Sequence, residues 1–236
     1  MNAIKRICFT KEFVKLANSR WPSLMHTYQP QSISLEKFTG YFAFSQRSEL
    51  IIIAGLRPVK DVHFGMDCFE SLTQSSSMTN LQLLIIGPAI DRKYAETIFA
   101  RINNSRNIYH LPLLKQDELF ERVSRALCTI NCSTSEGQSA AILESMALGI
   151  PVIARNIGGN QFIKSMGTLY NCPETFCKSV KENCSDVESW QRASENARNF
   201  VKEHHSSAAE RDFYINTVNG ALQNKLKFQL LNNNRD

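Results

Sequence analysis

Two glutamates, Glu136 and Glu144, lie in the stretch of the chain whose residue types most clearly ask for a ligand, Ser133–Gly159, STSEGQSAAILESMALGIPVIARNIGG. Glu136 falls in a Ser/Thr/Gly turn, and Glu144 two turns inside the helix that this turn opens. Gly137, Gln138, Ser139 and Ala140 form the expected N-terminus of that helix. Unpaired N–H groups and the positive end of the helix dipole make such a terminus a dock for anionic or hydroxyl-rich groups. Helical rise sets Glu144 about 12 Å further along the axis, where it can grip another part of one extended ligand. A carboxylate accepts two hydroxyls at once, which suits a ribose diol. A cationic counterpart lies upstream, in Gly55-Leu56-Arg57-Pro58-Val59-Lys60-Asp61. Arg57 offers a planar fork and Lys60 a point charge, both suited to phosphate oxygens, and glycine at 55 lets the turn approach a ligand closely. Two isolated glutamates would more simply be a cap and a solvated helix residue, and Arg57 with Lys60 a solvated loop pair.

The elements that must hold these residues alternate strand and helix. Apolar runs at Glu49–Ala54, Leu81–Ile86 and Leu127–Asn131, with shorter ones at Asn107–Leu111 and Pro151–Ala154, have the continuous character of strands buried on both faces. Gly167–Tyr170 is a possible sixth. Helical spacing fills 61–72, 91–102, 116–126 and 138–148, the last closed by Gly149 with Pro151 beyond it. This alternation predicts an α/β fold, a doubly wound parallel sheet with helices on both faces. Ligands of such sheets bind outside the carboxyl ends of the strands, which points to Gly55–Asp61, Gly87–Asp91 and Ser133–Ser139. Residues 1–20 are basic and helix-like, with Phe13–Asn18 a helix, and His26–Gln29 is expected as a strand inside a linker over 21–48. Helices are expected over 174–183, 186–204 and 207–225, followed by a frayed tail, LNNNRD.

Composition narrows the classes. The chain has 236 residues, 43% hydrophobic and 21% charged, which suits one ordinary domain with additions or two small ones. Lys plus Arg number 27 against 22 Asp plus Glu, a formal +5. That modest excess fits an anionic ligand, and no Arg/Lys stripe with interleaved aromatics suggests nucleic acid. The longest apolar run, Leu50–Leu56, is far short of the roughly 20 residues of a membrane span. MNAIKRICFTKEF carries no apolar signal region. Seven cysteines without a C-x-x-C pair suggest reduced, mostly buried thiols, no structural zinc and a cytoplasmic setting.

The Ser133–Gly159 stretch resembles the donor-site signature of the retaining GT-B glycosyltransferases, the glycosyl transferases group 1 domain with its Glu-x7-Glu motif. Glu136, Gly137, Glu144, Met146, Ala147, Gly149, Pro151, Val152, Ala154, Gly158 and Gly159 match in register. Gln138 replaces the usual aromatic, and Phe162 stands where the family often has an acidic residue. Arg57 and Lys60 match a basic pair that clamps the donor diphosphate. Leu84-Ile85-Ile86-Gly87-Pro88 resembles the second-strand turn. His110-Leu111-Pro112-Leu113-Leu114 takes the place of the base-contacting loop, with Pro112 where glycine is usual. The resemblance covers roughly 48–205.

The resemblance implies a GT-B donor half that binds a UDP- or GDP-sugar, with no further cofactor and no metal, and passes the glycosyl group to an unknown acceptor with retention. Glu136, Arg57 and Lys60 would then carry the chemistry. Gly55, Gly87, Leu114, Gly137, Gln138, Ser139, Ala140 and Glu144 would hold the donor, with Glu136 orienting the sugar and Glu144 the ribose. The implied division is a remnant of an acceptor domain and linker over 1–47, a donor-binding domain over 48–205, and a C-terminal helix and tail over 206–236. Such a chain is expected to be inactive alone, and Phe213, Ile215, Val218 and Leu222 of its last helix would be exposed or seek a protein partner. A catalytically silent nucleotide-sugar-binding or interaction module is the alternative, and an unrelated doubly wound nucleotide-binding domain a more distant one. Gly158-Gly159 is equally well a flexible turn. His63 and His110 have no visible carboxylate partner, His204-His205 suits a helix-end cap, and Ser133, Ser135 and Ser139 form no G-x-S-x-G elbow. There is no G-x-G-x-x-G after a strand and no P-loop. Nor is there an Asp-x-Asp of the metal-dependent glycosyltransferases.

Overall fold

The computed structural model describes residues 6–33, 44, 47–75, 78, 80–166 and 168–233, with side chains as far as Gln223 in the last helix. A small β–α–β unit comes first: β1 (Arg6–Cys8), α1 (Lys11–Arg20) and β2 (His26–Tyr28), with Arg6 opposite His26 in a parallel pair. Residues 1–5 lie outside the described residues, and from Arg6 the helical reading of residues 1–20 holds only from Lys11. Arg6–Cys8 is a strand because β2 supplies its ladder partner, which periodicity over three residues cannot reveal. Thr10 caps α1, its Oγ1 accepting from the Phe13 N–H at 3.2 Å. Of the expected linker, 34–43 and 45–46 lie outside the described residues, as do Gly167 and the tail from Asn234.

The next strands are β3 (Glu49–Ile53), β4 (Gln82–Ile86), β5 (Ile108–Leu111), β6 (Cys128–Asn131), β7 (Val152–Arg155) and β8 (Leu169–Tyr170). They form one wholly parallel sheet in the order β5-β4-β3-β6-β7-β8. From β3 the chain builds outward through β4 and β5, then returns to the other side of β3 for β6, β7 and β8. The connecting helices are α2 (Val62–Ser75), α3 (Arg92–Asn103), α4 (Gln116–Ser124) and α5 (Ala140–Ala147), with α6 (Pro173–Cys184), α7 (Val187–His204) and α8 (Ser207–Asn233) after the sheet. The expected doubly wound α/β fold is the observed one.

Leu50, Ile51 and Ile52 of β3 and Leu83–Ile86 of β4 are buried, as the apolar runs require of strands covered on both sides. Val62, Met66, Phe69 and Leu72 of α2 join them in the main core with Phe176 and Val180 of α6. Each such side chain contributes about 1.5–3 kcal/mol by leaving water, which is what fixes the sheet beneath the site. A second cluster packs Ile142, Leu143 and Met146 of α5 on Ala197 and Val201 of α7.

Several boundaries differ from those expected. Helix α5 begins at Ala140 with Ser139 as its N-cap, so Gly137 and Gln138 lie in the preceding loop. Residues 158–166 form a 3-10 helix rather than only a Gly-Gly turn. The last helix runs on to Asn233, so the fraying expected from Leu231 is not seen through that residue. Ile215, Val218 and Leu222 of α8 are at least half exposed. Among the described residues no helix is long and apolar enough to cross a membrane.

Candidate functional site

The strand order reverses between β3 and β6, and the crevice outside their carboxyl ends is where doubly wound sheets take ligands. The loops that leave these two strands carry the two charged groups singled out above. After β3, Pro58–Lys60 forms a 3-10 turn, and Asp61 takes a left-handed conformation with φ of 42°. After β6 the chain passes through Cys132 and Ser133 to Glu136. Backbone bonds stitch the loops together: the Thr134 N–H donates to the Val59 carbonyl at 2.9 Å, and the Cys132 thiol to the Lys60 carbonyl at 3.1 Å. Arg155, at the end of β7, donates to Asp61 at 2.6 Å and to the Cys132 carbonyl at 3.1 Å, with its guanidinium 4.4 Å from the Phe64 ring centroid.

The centre of the arrangement is an ion pair, Lys60 Nζ to Glu136 Oε1 at 2.6 Å, with both side chains more than four-fifths buried. The Ser133 hydroxyl donates to the same Oε1 at 2.6 Å and Asn131 Nδ2 at 3.3 Å. Asn131 is oriented in turn by Asn160, which is fully buried and donates to Asn131 Oδ1 at 2.9 Å and to the Arg155 carbonyl at 3.0 Å. Burial raises the Glu136 carboxyl, but the Lys60 and Ser133 bonds, the Lys60 charge and the Asn131 bond outweigh it and hold the group below its ordinary value. Glu136 is thus a fixed anion. All three donors converge on Oε1, and among the described residues nothing donates to Oε2.

Glu144 is different. It sits within α5, half-buried, with no side-chain partner among the described residues, and burial alone raises its carboxyl. A desolvated acceptor without a donor suits a hydroxyl brought by a ligand. Arg57 is exposed and has no side-chain partner among the described residues. Lys60 is committed to Glu136 through one donor and keeps two more.

Two glycines are fixed by close approach. Gly87, at φ of 151°, would place a Cβ 2.2 Å from the Ala54 carbonyl oxygen, so the β4 turn lies directly on the β3 loop. At Gly159 a Cβ would fall 2.0 Å from the Glu136 carbonyl oxygen. The second residue of the Gly-Gly pair therefore seats the Glu136 loop and is more than a flexible turn. At Gly55 the close neighbour is the Ile90 side chain, at 2.4 Å, while at Gly137 the space is open. Leu113 is 72% exposed beside the half-buried Leu114 at the carboxyl end of β5.

Of the expected site residues, Lys60 and Glu136 are in contact; Gly55, Arg57, Gly87 and Gly137 lie on the loops that leave β3, β4 and β6, Ala140 opens α5 and Glu144 lies within it. Gln138 and Ser139 are buried, and Gln138 Oε1 accepts from the Gln31 N–H at 2.9 Å. Sequence reasoning missed Asn131 and Asn160, and placed Ser133 on a ligand-side loop without giving it a role. The sequence signal for the asparagines is a polar residue at the end of a buried strand and another just after Gly-Gly. Among the described residues no group of three or more His, Cys, Asp or Glu is placed to hold a metal ion.

Comparison with known proteins adds to this geometry. Residues 36–200 match the family described as glycosyl transferases group 1. Over 225 residues the chain is 32% identical to glycosyltransferase 1 domain-containing protein 1 of Xenopus tropicalis, covering 88% of this chain and 65% of that protein. It thus spans a little under two thirds of that relative's length. A mutant of S. aureus TarM, solved with Fondaparinux, alpha-GlcNAc-glycerol and UDP, superposes with a TM-score of 0.76 at 15% identity, over 91% of this chain and 43% of that one. Sucrose-phosphate synthase from Thermosynechococcus elongatus gives 0.75 at 17% identity, over 97% and 59%. At such identities the two structures show a shared fold, that of the GT-B glycosyltransferases.

Proposed function

Because the chain belongs to the glycosyl transferases group 1 family, we propose that its switch-point crevice binds a nucleoside diphosphate sugar and serves glycosyl transfer with retention of configuration. The observation that carries this reading is the Lys60–Glu136 pair. It joins the loop that leaves β3 to the loop that leaves β6 at the one place where the sheet's topology makes room for a ligand.

The roles follow from what each group has left to give. Arg57 and the two spare donors of Lys60 meet the diphosphate, with the open-ended amides of Gly137 and of Ala140 at the start of α5. Stabilising the departing diphosphate as the sugar–oxygen bond breaks is the largest task here, because preorganised cations need not reorganise as that charge develops. Glu136 offers Oε2 to a sugar hydroxyl while Oε1 stays locked. Glu144 accepts the ribose hydroxyls, and that bond favours its ionised form. Gly55, Gly87 and Leu114 border the base end, and Gln138 and Ser139 support the loop from behind. Residues 48–205 act as the donor-binding domain, residues 1–47 belong to the acceptor side and its linker, and 206–236 are a separate C-terminal helix and tail. The UDP held by the TarM structure supports a uridine donor without excluding GDP.

A thermal-shift panel of UDP-glucose, UDP-N-acetylglucosamine, GDP-mannose and ADP-glucose tests the reading. A ligand at 100 times its dissociation constant stabilises the fold by about 2.7 kcal/mol. At least one nucleotide sugar should raise Tm in the intact protein and lose that effect in Arg57→Ala. No shift with any of them contradicts the proposal.

A further inference from the structure

Arg155, at the end of β7, bonds to both of the loops that meet at the Lys60–Glu136 pair. In the loop after β3 its partner is Asp61, the residue that follows Lys60. Both side chains are mostly buried, and Arg155 Nη1 donates to Asp61 Oδ2 at 2.6 Å. The Asp61 backbone is left-handed, with φ of 42° and ψ of 49°. Residues with side chains adopt that conformation at some cost and keep it where their surroundings impose it. The surroundings here act on the backbone and the side chain together. The Asp61 N–H donates to the Pro58 carbonyl at 3.0 Å, and its own carbonyl accepts from Phe64 and Gly65, as α2 begins, at 3.1 and 3.4 Å. Arg155 grips the carboxylate, and its guanidinium lies against the Phe64 ring, 4.4 Å from the centroid.

In the loop after β6 the same Nη1 donates to the Cys132 carbonyl at 3.1 Å, while the Cys132 thiol donates to the Lys60 carbonyl at 3.1 Å. Burial, then the Asp61 charge, push that thiol up to about 12, so it stays protonated and remains a donor. The backbone of Arg155 leads to the other member of the ion pair. Its carbonyl accepts from Asn160 Nδ2 at 3.0 Å, and Asn160 orients Asn131, which donates to Glu136 Oε1. Lys60 therefore stands one residue from a group that Arg155 holds, and Glu136 is reached from Arg155 through two asparagines. A planar guanidinium bonds at its edge and stacks on its face at once, which the point charge of an ammonium does not.

We propose that Arg155 and Asp61 are positioning residues for the donor site: their pair sets where Lys60 stands relative to Glu136. The effect on donor binding rests on the donor-site reading above; the effect on the ion pair does not. The test takes two readouts on the intact protein, titration of the Glu136 carboxyl by carbon-detected NMR and calorimetric titration with UDP. The variants are Asp61→Gly, Asp61→Asn, Arg155→Met and the double variant Asp61→Gly/Arg155→Met. Glycine takes the left-handed conformation freely, so Asp61→Gly should melt with the wild type. Removing a nearby negative charge by itself eases ionisation of Glu136 and moves its titration to lower pH, whereas losing the Lys60 contact moves it to higher pH. The titration should move to higher pH in Asp61→Gly, and stay at or below the wild-type value in Asp61→Asn, which keeps an acceptor for Arg155. UDP should bind at least about threefold more weakly to Asp61→Gly and to Arg155→Met, and no more weakly to the double variant than to the weaker-binding single one, as for two residues that act through one pair. A titration that moves down in Asp61→Gly, or losses that add in the double variant, overturn the proposal. Weakened binding in Arg155→Met with none in Asp61→Gly overturns it too, and makes Arg155 a direct contact of the ligand. UDP that fails to bind the wild type removes the donor-site reading, and the Glu136 titration then decides the positioning role on its own.

Discussion

The carboxyl pair that marks this chain is not symmetrical. Among the described residues Glu136 is surrounded by donors and Glu144 by none, so on the proposed reading one is ready before the ligand arrives and the other is completed by it. The depressed Glu136 value has a consequence for stability. An acid whose folded pKa lies below its unfolded value stabilises the fold above the unfolded value, and that contribution is lost as pH falls through the folded one. Asn131→Leu removes one donor and leaves Asn160 Nδ2 with only the Arg155 carbonyl. The Glu136 carboxyl should then titrate at a higher pH, read by carbon-detected NMR of the side chain, and acid unfolding should begin at a higher pH. An unchanged titration would show that Asn131 does not set the Glu136 environment. Glu136, Glu144, Arg57 and Lys60 stood out in the sequence through the register of the residues around them, since alone two glutamates read as a cap and a solvated helix residue and a basic loop pair as solvated. Asn131 did not, because a lone polar residue in Cys-Thr-Ile-Asn looks like strand filling until Asn160, 29 residues away, is seen to bond to it.

Elements were legible to the extent that their burial is written in composition. The buried strands β3, β4 and β6 stand out as apolar runs, and α7 and α2 as helical periodicities, because the core dictates those patterns. Short elements were less so. β1 depends on its partner β2, and the 3-10 helix over 158–166 follows a Gly-Gly pair whose sequence permits a turn equally well. The start of α5 was placed too early: Gln138 has ordinary helix propensity, but it lies in the loop ahead of the helix, where its Oε1 accepts from the Gln31 N–H. The 3-10 helix is the element that transmits packing to Glu136. In Gly159→Ala the added carbon meets backbone rather than a movable side chain. Overpacking of this kind costs about 1–3 kcal/mol, and a chain of this size shifts roughly 2–4 °C per kcal/mol. We expect Tm to fall by about 2–12 °C and nucleotide-sugar affinity to fall with it, whereas Gly158→Ala, with open space around its Cα, should change neither. Equal effects of the two substitutions would refute the seating role of Gly159.

At the scale of the whole molecule, the order β5-β4-β3-β6-β7-β8 does the positioning: it brings Lys60 and Glu136, 76 positions apart in the chain, into contact at the carboxyl ends of β3 and β6. The alternation of strands and helices foretold a parallel sheet, but only the structure shows which pair of adjacent strands diverges in direction of winding, since strand order is not encoded in any local pattern. The most direct test asks whether the two loops grip one ligand. UDP, or GDP if the thermal shift favours it, is titrated calorimetrically into the wild type, Arg57→Ala and Glu144→Ala. A charge-assisted hydrogen bond contributes about 1.5–3 kcal/mol, so each variant should bind about 10–150 times more weakly. Full-strength binding in both variants would contradict the account.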